Sequence, residues 1–313
     1  MIRIGHRDPV HDGLRGAILA LGNFDGFHLG HQAVVREAVE WARTEGRPAV
    51  VATFDPHPVR HFAPHVPPFR LTTLEQRAEL FAAAGADAML VFEFDSELAS
   101  TSADDFVARL LAERFAVAGV VTGENFTYGR ARGGTVATLK AQCAGLGIGN
   151  RTVGPVMANG RPVSSSRIRD ALKAGDCETA ARLMTRPFAI CGVVQHGDKR
   201  GREIGYPTAN LDMGKYLRPR YGIYAVTGRV LDTGEAVKGA ASLGIRPTFD
   251  PPKELLEPYF FDFDGDLYGS EIEVALHHFL RPEAKFDTLE ALAAQMAQDC
   301  EQARKLLSAA PSR

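Results

Sequence analysis

The residues from Ala17 to His31 read AILALGNFDGFHLGH. The apolar run at 17–22 predicts a buried strand, and the glycine-rich segment after it leads into a helical pattern over 30–45. His28 and His31 therefore lie at a strand-to-helix corner. A helix N-terminus presents free N–H groups and a partial positive charge, which favour phosphate. We interpret the corner as a phosphate site; the plainer alternative is two ordinary surface or core histidines.

Strand-like and helix-like segments alternate from residue 1 to about 186. The predicted strands are 17–22, 48–54, 87–94, 116–122 and 151–157, and the predicted helices are 30–45, 73–84, 102–114, 135–145 and 165–174. This alternation predicts an α/β fold with a mostly parallel sheet. Ligands bind such sheets at the carboxyl ends of the strands. The histidine corner lies at one of those ends.

The pattern changes near Pro187. Short strand-like runs follow at 188–195, 221–231, 236–244, 256–263 and 267–280, and Asp264-Gly265 between the last two predicts a hairpin. Many short strands with glycine and proline turns predict a small antiparallel β-barrel. Apolar residues at helical spacing over 288–307 predict a closing helix. We expect two domains, 1–186 and 187–313.

Composition argues against several classes of protein. The chain has 313 residues, of which 45% are hydrophobic and 24% charged, and its net charge is −2, so no general attraction to nucleic acid or to a membrane surface is expected. The four cysteines form no CxxC pair, which argues against a zinc site or a disulfide framework and fits a reducing cytoplasm. No signal-peptide h-region and no membrane-length apolar stretch is present in the sequence. We expect a cytoplasmic protein with no obligatory protein partner.

Three further segments of the first half carry groups suited to a ligand. In the loop Thr53–Pro58, His57 either contacts a phosphate or base or only shapes a proline-rigidified turn. The segment Gly123–Gly134 is rich in glycine, arginine and aromatic residues; it is either a loop whose ring stacks on a flat ligand or a flexible surface turn. Ser164–Arg169 opens a helix. One serine would serve as an N-cap, but three serines with two arginines favour a phosphate nest.

Two segments of the predicted barrel carry candidate chemistry. The run Lys199–Arg202 is framed by glycines and either approaches phosphates closely or is a solvated loop. Thr208 and Asn210 would offer neutral oxygen ligands to a Mg²⁺ ion that is held mostly by nucleotide phosphates. Glu257, in an apolar strand, is either an exposed partner or a general base. The sequence has no GxxxxGK[ST] motif, so a kinase here is not of the P-loop type.

Taken in order, these segments resemble the motifs of the bacterial bifunctional riboflavin kinase/FAD synthetase family. The matching segments are Gly22–His31, Thr53–Pro58, Gly123–Gly134, Ser164–Arg169, Gly205–Asn210, Gly222–Val226, Leu243–Phe249, Phe261–Gly269 and Leu280–Phe286. The resemblance implies a Rossmann-like N-terminal nucleotidyltransferase domain that joins FMN and ATP into FAD and pyrophosphate. It also implies a C-terminal β-barrel domain that phosphorylates riboflavin with ATP and Mg²⁺.

The resemblance further implies roles for individual residues. The implied catalytic residues are His28, His31 and Glu257, and the metal ligands are Thr208 and Asn210. The implied nucleotide or phosphate contacts are Gly22, Asn23, Phe24, Gly30, Ser164, Ser165, Arg169, Gly197, Lys199 and Arg202. The implied flavin contacts are Phe54, His57, Asn125, Tyr128 and Arg281.

The chain departs from the family pattern at three positions. Asn125 stands where many members have aspartate, and Tyr128 replaces the usual second phenylalanine. Pro258 directly follows Glu257 and removes a backbone donor, which indicates an edge strand or a bulge there.

The sequence leaves two alternative functions. In the first, the chain is a nucleotidyltransferase whose barrel only binds a ligand; Thr208, Asn210 and Glu257 argue against it. In the second, the chain is a non-enzymatic flavin-binding or storage protein, which leaves the two histidines without a role.

Overall fold

The computed structural model describes residues 1–196, 206–246 and 253–309. The chain divides into two compact units, Met1–Val66 with Thr72–Ser164 and Pro67–Leu71 with Ser165–Arg313. Residues 165–186 group with the second unit, whereas we expected them in the first domain. The functional boundary near residue 186 stays a prediction.

The first unit contains a six-stranded parallel sheet. Its strands are β1 (Ile2–Gly5), β2 (Ile18–Leu21), β3 (Ala49–Asp55), β4 (Ala88–Glu93), β5 (Gly119–Gly123) and β6 (Gly149–Val153). Their order is β1-β4-β3-β2-β5-β6. The chain builds outward from β2 through β3 to β4 and then returns to place β5 on the other side of β2. This reversal makes the carboxyl ends of β2 and β5 the switch point, where sheets of this kind bind ligands.

Helices cover both faces of this sheet. They are α1 (Leu29–Glu45), α2 (Pro58–Phe62), α3 (Leu74–Ala83), α4 (Ser96–Ser100), α5 (Ala103–Asp105, continued as a π-helix over Phe106–Arg114) and α6 (Val136–Gly145). A small ribbon pairs β7 (Met157–Ala158) with β8 (Arg161–Pro162). Along β2, Leu19 and Leu21 enter one core cluster while Ile18 and Ala20 enter the other. Both faces of the sheet are therefore buried, which a parallel sheet requires.

Trp41 of α1 packs against the backbones of two adjacent strands. A Cβ atom on Gly149 would lie 2.6 Å from the indole, and one on Gly119 would overlap it. Arg151 covers the ring, with its guanidinium carbon 4.3 Å from the ring centroid. The indole therefore fits because both glycines lack a side chain. Trp41 is also the single tryptophan of the chain, so its fluorescence reports on the first unit.

We expect Gly119→Ala to lower the free energy of unfolding of the first unit by about 1–3 kcal/mol, because the added methyl group overpacks the site of the indole. Urea unfolding followed by Trp41 fluorescence measures the change. Gly145→Ala is the matched control, because a Cβ there meets no atom within 4 Å. Equal urea midpoints for the two variants would show that the indole moves aside freely.

The second unit contains an antiparallel six-stranded sheet that nearly closes into a barrel. Its strands are β9 (Phe188–Val193), β10 (Leu211–Asp212), β11 (Gly222–Val230), β12 (Ala236–Arg246), β13 (Lys253–Phe260) and β14 (Glu271–Arg281), in the order β10-β13-β12-β11-β14-β9. The Gln195 N–H donates to the Asn210 carbonyl at 2.9 Å and joins the two edges. The helices are α7 (Ser165–Ala174), α8 (Cys177–Met184) and α9 (Leu289–Ala309). The predicted fold class, an α/β unit followed by an antiparallel barrel with a C-terminal helix, is confirmed.

The predicted hairpin at Asp264-Gly265 is wrong. β13 pairs with β10 and β12, whereas β14 pairs with β9 and β11. Residues 261–270 instead form a longer connection, anchored where the Asp262 carboxylate accepts bonds of 2.7 and 3.0 Å from Arg304 of α9. The Asp-Gly pair marks a bend within this connection. Pairing between strands distant in sequence therefore overrides a local turn signal.

Candidate active sites

The histidine corner is formed by the N-terminus of α1. His28 is the N-cap, and its Nδ1 accepts a hydrogen bond from the His31 N–H at 3.3 Å. The two imidazole rings stack with their centroids 3.6 Å apart and their planes 17° apart. Gly30 permits this packing, since a Cβ there would lie 3.2 Å from Cε1 of His28. The corner thus holds both imidazoles as one stacked pair over the first turn of a helix.

The turn that precedes the corner has a strained backbone. Phe24 and Phe27 are not glycines, yet their φ angles are 51° and 39°, and Gly26 between them has a φ of 84°. Such conformations cost about 1–3 kcal/mol each for ordinary residues and persist only where the surroundings hold them. Both phenyl rings pack edge-on against Phe81, at 5.7 and 5.2 Å between centroids. Burial of the two rings therefore helps to hold the turn.

Asp25 lies within the same turn and has a structural environment. Its buried carboxylate accepts hydrogen bonds from the N–H and the hydroxyl of Thr72, at 3.0 and 3.3 Å. The Thr72 hydroxyl oxygen in turn accepts a bond from the Gly26 N–H at 3.0 Å. The sequence patterns gave no indication of Thr72, because it lies in a loop and its hydrogen-bond partners Asp25 and Gly26 are more than 40 positions away in the chain.

Two buried polar atoms near the switch point lack a hydrogen-bond partner among the described residues. They are Oδ1 of Asn23, which follows β2, and Oγ1 of Thr122, which belongs to β5. An unsatisfied buried polar atom costs free energy, and a polar ligand could supply the missing bond. Asn23 was predicted as a nucleotide contact. Thr122 was not, since a threonine inside a strand carries no distinguishing signal.

Gly22, Phe24 and Ser164 lie close to the histidine corner. The Phe24 ring covers Gly22, where a Cβ would lie 3.1 Å from the ring. The Val163 carbonyl oxygen would lie 3.8 Å from a Cβ on Gly30, so the chain passes the corner directly before Ser164. The structure thereby brings Ser164 next to the predicted phosphate site.

Ser165 and Arg169 belong to the second unit. Ser165 opens α7, and the Arg169 Nε–H donates to the Phe69 carbonyl at 2.9 Å. The Arg169 guanidinium also lies 5.3 Å from the centroid of the Phe69 ring. These contacts tie α7 to the segment Pro67–Leu71 of the same unit.

Two predicted flavin contacts lie after β3. Phe54 is largely buried and stacks on Phe92, with centroids 5.4 Å apart. His57 is the N-cap of α2, where its Nδ1 accepts from the Val59 N–H at 3.2 Å. Both residues therefore have structural contacts of their own, and their flavin roles stay predictions.

The loop after β5 holds the other two flavin candidates of this unit. Asn125 is exposed, whereas Tyr128 is buried, stacks on Phe126 at 5.8 Å and donates its hydroxyl to Gln142. Burial raises the pKa of the Tyr128 phenol, so it stays protonated at neutral pH. Gly134 closes the loop over this ring, since a Cβ there would lie 2.6 Å from it. The flavin roles of Asn125 and Tyr128 likewise stay predictions.

A cavity of about 590 Å³ opens in the second unit. This volume lies within the range of small-molecule pockets. Thr208, Glu257 and Arg281 line it together, and α9 contributes Leu292 and Met296 to its wall. Three residues predicted from separate motifs are therefore brought to one site.

Pro258 leaves the strand around Glu257 intact. Glu257 pairs with Ser242 of β12 in an unbroken register. The Pro258 carbonyl accepts from the Ala209 N–H at 2.9 Å, so the proline ring faces Ala209 rather than β12. β10 pairs with β13 only at Leu255 and Leu256. Pro258 thus lies beyond the part of β13 that pairs with β10, where the strand is at the edge of the sheet. The predicted alternative of a bulge is wrong, because the register with β12 is unbroken.

The segment beside Glu257 carries the predicted metal ligands. Thr208 lines the cavity, and Asn210, two residues on, is buried with its carbonyl bonded to the Gln195 N–H. The remaining candidates Gly197, Lys199 and Arg202 lie outside the described residues.

Arg281 is held by an acidic residue that the sequence patterns did not single out. Its Nε–H and Nη2–H donate to the Asp299 carboxylate at 2.9 and 2.7 Å. The Asp299 side chain is only 6% exposed and lies on α9. The ion pair therefore ties the last strand of the barrel to its C-terminal helix at the cavity.

The described residues lack two kinds of feature. No three histidine, cysteine, aspartate or glutamate side chains among them converge on a point that could hold a metal ion. No helix among them is both long and apolar enough to cross a bilayer. All four cysteines are free thiols, and burial raises the pKa of Cys143 to about 11.

Comparisons with known proteins match both halves of the chain. The family model of FAD synthetase matches residues 10–167, and that of riboflavin kinase matches residues 184–307. A bifunctional riboflavin kinase/FMN adenylyltransferase of Pseudomonas fluorescens is 38% identical over 97% of this chain and 96% of its own length. Its counterpart in Escherichia coli K12 is 36% identical over 91% and 90%.

One solved structure has a closely similar fold. It is the crystal structure of a protein named as a macrolide-efflux protein from Streptococcus pneumoniae. Its TM-score is 0.87 and its sequence identity is 31%, and the match covers 97% of this chain and 99% of that chain.

Proposed function

Because the chain belongs to the bifunctional riboflavin kinase/FMN adenylyltransferase family, we propose that its two reactions take place at two separate sites, the histidine corner and the barrel cavity. The enzyme phosphorylates riboflavin to FMN with ATP, and it adenylylates FMN to FAD with release of pyrophosphate. The observation that carries the assignment is the separation of the groups. The stacked imidazoles belong to the first unit, whereas Thr208 and Glu257 share a cavity of the second.

FAD formation is assigned to the histidine corner. A phosphate oxygen of FMN attacks the α-phosphorus of ATP, the bond to the β-phosphate oxygen breaks, and pyrophosphate leaves. Such a transfer depends on positioning and on stabilising the charge on the phosphoryl oxygens. The N-terminus of α1 and the two imidazoles supply donors for that charge. Within the first unit, the proposed contacts to the nucleotide phosphates are Gly22, Asn23, Phe24, Gly30 and Ser164, and those to the flavin are Phe54, His57, Asn125 and Tyr128. The phosphate roles of Ser165 and Arg169, which belong to the second unit, stay predictions.

FMN formation is assigned to the barrel cavity. Glu257 accepts the proton of the terminal ribityl hydroxyl, whose oxygen attacks the γ-phosphorus of ATP, and ADP leaves. Arg281, held by Asp299, faces the flavin in the same cavity. Glu257 and Thr208 lie on adjacent segments, because the Ala209 N–H donates to the carbonyl of Pro258, and both residues line the cavity. A general base of this kind contributes about 10²–10⁴-fold to the rate.

Thr208 and Asn210 fit a magnesium ion that arrives with the nucleotide. Their oxygens are neutral, and Mg²⁺ in sites of this kind takes most of its ligands from substrate phosphates and water. When bound, the ion neutralises charge on the phosphates. We also place the enzyme in the cytoplasm, which its four free thiols support. The expected absence of nucleic-acid, membrane and obligatory protein partners stays a prediction.

Separate sites predict complementation between two inactive variants. Neither His28→Ala nor Glu257→Gln alone is expected to convert riboflavin into FAD at an appreciable rate. An equimolar mixture is expected to restore FAD, because FMN made by the first variant diffuses to the second. Chromatography of the flavins after incubation with riboflavin, ATP and Mg²⁺ measures the outcome. A mixture that accumulates FMN without FAD would contradict the assignment of one reaction to each unit.

A further inference from the structure

Arg77 of α3 is a buried cation that lies in the predicted helix 73–84 but in none of the motifs that the sequence assigned to a ligand. The residue is 2% exposed and lies beneath the carboxyl ends of β2 and β3. A buried charge is unfavourable unless it is paired and hydrogen-bonded. The groups that surround its guanidinium therefore indicate what the charge is used for.

The Arg77 guanidinium bridges two loops at the same edge of the sheet. Its Nη1 donates to the Asn23 carbonyl at 3.1 Å and to the Thr53 hydroxyl at 2.7 Å. Its Nη2 lies 3.8 Å from Oδ1 of Asp55. Asn23 follows β2 in the strained turn that leads to His28, whereas Thr53 and Asp55 end β3. One side chain thereby fixes the ends of two neighbouring strands to each other.

A second donor converges on the same carbonyl group. The Thr53 hydroxyl, which accepts from Arg77, itself donates to the Asn23 oxygen at 2.8 Å. The peptide that joins Asn23 to Phe24 is therefore held from one side by two donors. The next residue, Phe24, has the left-handed φ of 51° that such fixation has to maintain.

We infer that Arg77 is a positioning residue for FAD formation: by clamping the Asn23 carbonyl together with Thr53, it holds the strained turn so that His28 and His31 meet the nucleotide in register. The inference rests on the proposed function of the histidine corner. It assigns Arg77 no contact with substrate. A misplacement of about 1 Å in a site of this kind can cost up to about 10²-fold in rate.

The test compares Arg77→Met and Arg77→Lys with Arg109→Met, which removes an exposed arginine from the first unit. We measure kcat and KM for ATP in FAD formation, kinase activity in the same preparations, and the urea midpoint from Trp41 fluorescence. Arg77→Met is expected to lower kcat for FAD formation by about 10- to 100-fold with KM for ATP changed much less. Arg77→Lys is expected to recover part of the loss, because lysine keeps one charged donor but cannot bridge two acceptors as the planar guanidinium does.

The inference is overturned if Arg77→Met keeps kcat within twofold of the parent, if its loss is confined to KM, or if Arg77→Lys recovers none of the loss. If Arg77→Met shows no cooperative unfolding transition in Trp41 fluorescence, that variant is not folded. The kcat values of Arg77→Lys and Thr53→Val then decide whether the clamp is needed. A lower kcat in either of these folded variants supports the clamp, and parental kcat in both overturns it. The proposed function is tested separately: it fails if His28→Ala leaves FAD formation unchanged, a result that does not depend on Arg77.

Discussion

Replacing His28 by alanine is expected to slow FAD formation from FMN and ATP by about 10²–10³-fold, the usual effect of removing one stabilising donor from the transition state. In the proposed site the imidazole at the N-terminus of α1 stabilises the phosphoryl charge, and in the variant His31 also loses its stacking partner. FMN formation from riboflavin is expected to continue at the parental rate, because its groups lie in the second unit. Initial rates of the two reactions, measured separately by chromatography, give both numbers.

The alanine variant also removes a helix cap, so the cap needs its own control. His28 accepts a hydrogen bond from the His31 N–H, and loss of an N-cap costs about 1 kcal/mol of stability. His28→Asn restores a good cap without the imidazole. We expect the asparagine variant to regain the urea midpoint of the parent, followed through Trp41, while FAD formation stays slow. Near-parental FAD formation in His28→Asn would mean that the residue acts only as a cap.

Replacing Glu257 by glutamine is expected to slow FMN formation by about 10²–10⁴-fold, because the amide cannot accept the proton of the ribityl hydroxyl. Glutamine keeps the size of the side chain, and the backbone pairing of this position with Ser242 does not involve the carboxylate. FAD formation from supplied FMN is expected to be unchanged. Rates with riboflavin and with FMN as the starting flavin, both with excess ATP and Mg²⁺, separate the two effects.

Glu254→Gln is the matched control on the same strand. Its carboxylate accepts from Arg218 at 2.7 Å and also from Tyr221, and it does not line the cavity. The control is expected to lose some stability and to keep its kinase rate. If both glutamine variants slowed the kinase equally, the loss would reflect a disturbed strand β13 rather than a missing base.

Local sequence signals were sufficient for most elements of the fold but not for their arrangement. The apolar run at 17–22 and the helical period after it correspond to β2 and α1 within a residue or two at each end. Short elements such as β1 and β10 were missed because four or two residues carry no period. The Asp264-Gly265 signal failed because β14 pairs with β9 and β11, both of which end forty or more residues before it in the chain. Only the pairing of distant strands decides that arrangement.

The same distinction separates the site residues that could be predicted from those that could not. His28 and His31 are three residues apart, so one helical turn brings them together and the sequence spacing suffices. Arg77 reaches partners 24 and 54 positions away, and an arginine in an amphipathic helix has the pattern of a surface residue. Asp299 was missed for the same reason: it lies on α9, whereas its partner Arg281 lies on strand β14, so no local pattern links the two. Buried charges were therefore found through tertiary contacts alone.

Because α9 forms one wall of the barrel cavity, the order in which the chain is translated decides when that cavity is complete. This helix is the final element of the described chain to emerge from the ribosome, and it brings Leu292, Met296 and Asp299 to a cavity whose other walls are already translated. A nascent chain that stalls before Leu289 would contain every strand of the barrel, but its cavity would lack the wall that α9 provides. Premature termination would thus leave the proposed kinase site incomplete even though the barrel strands are all translated.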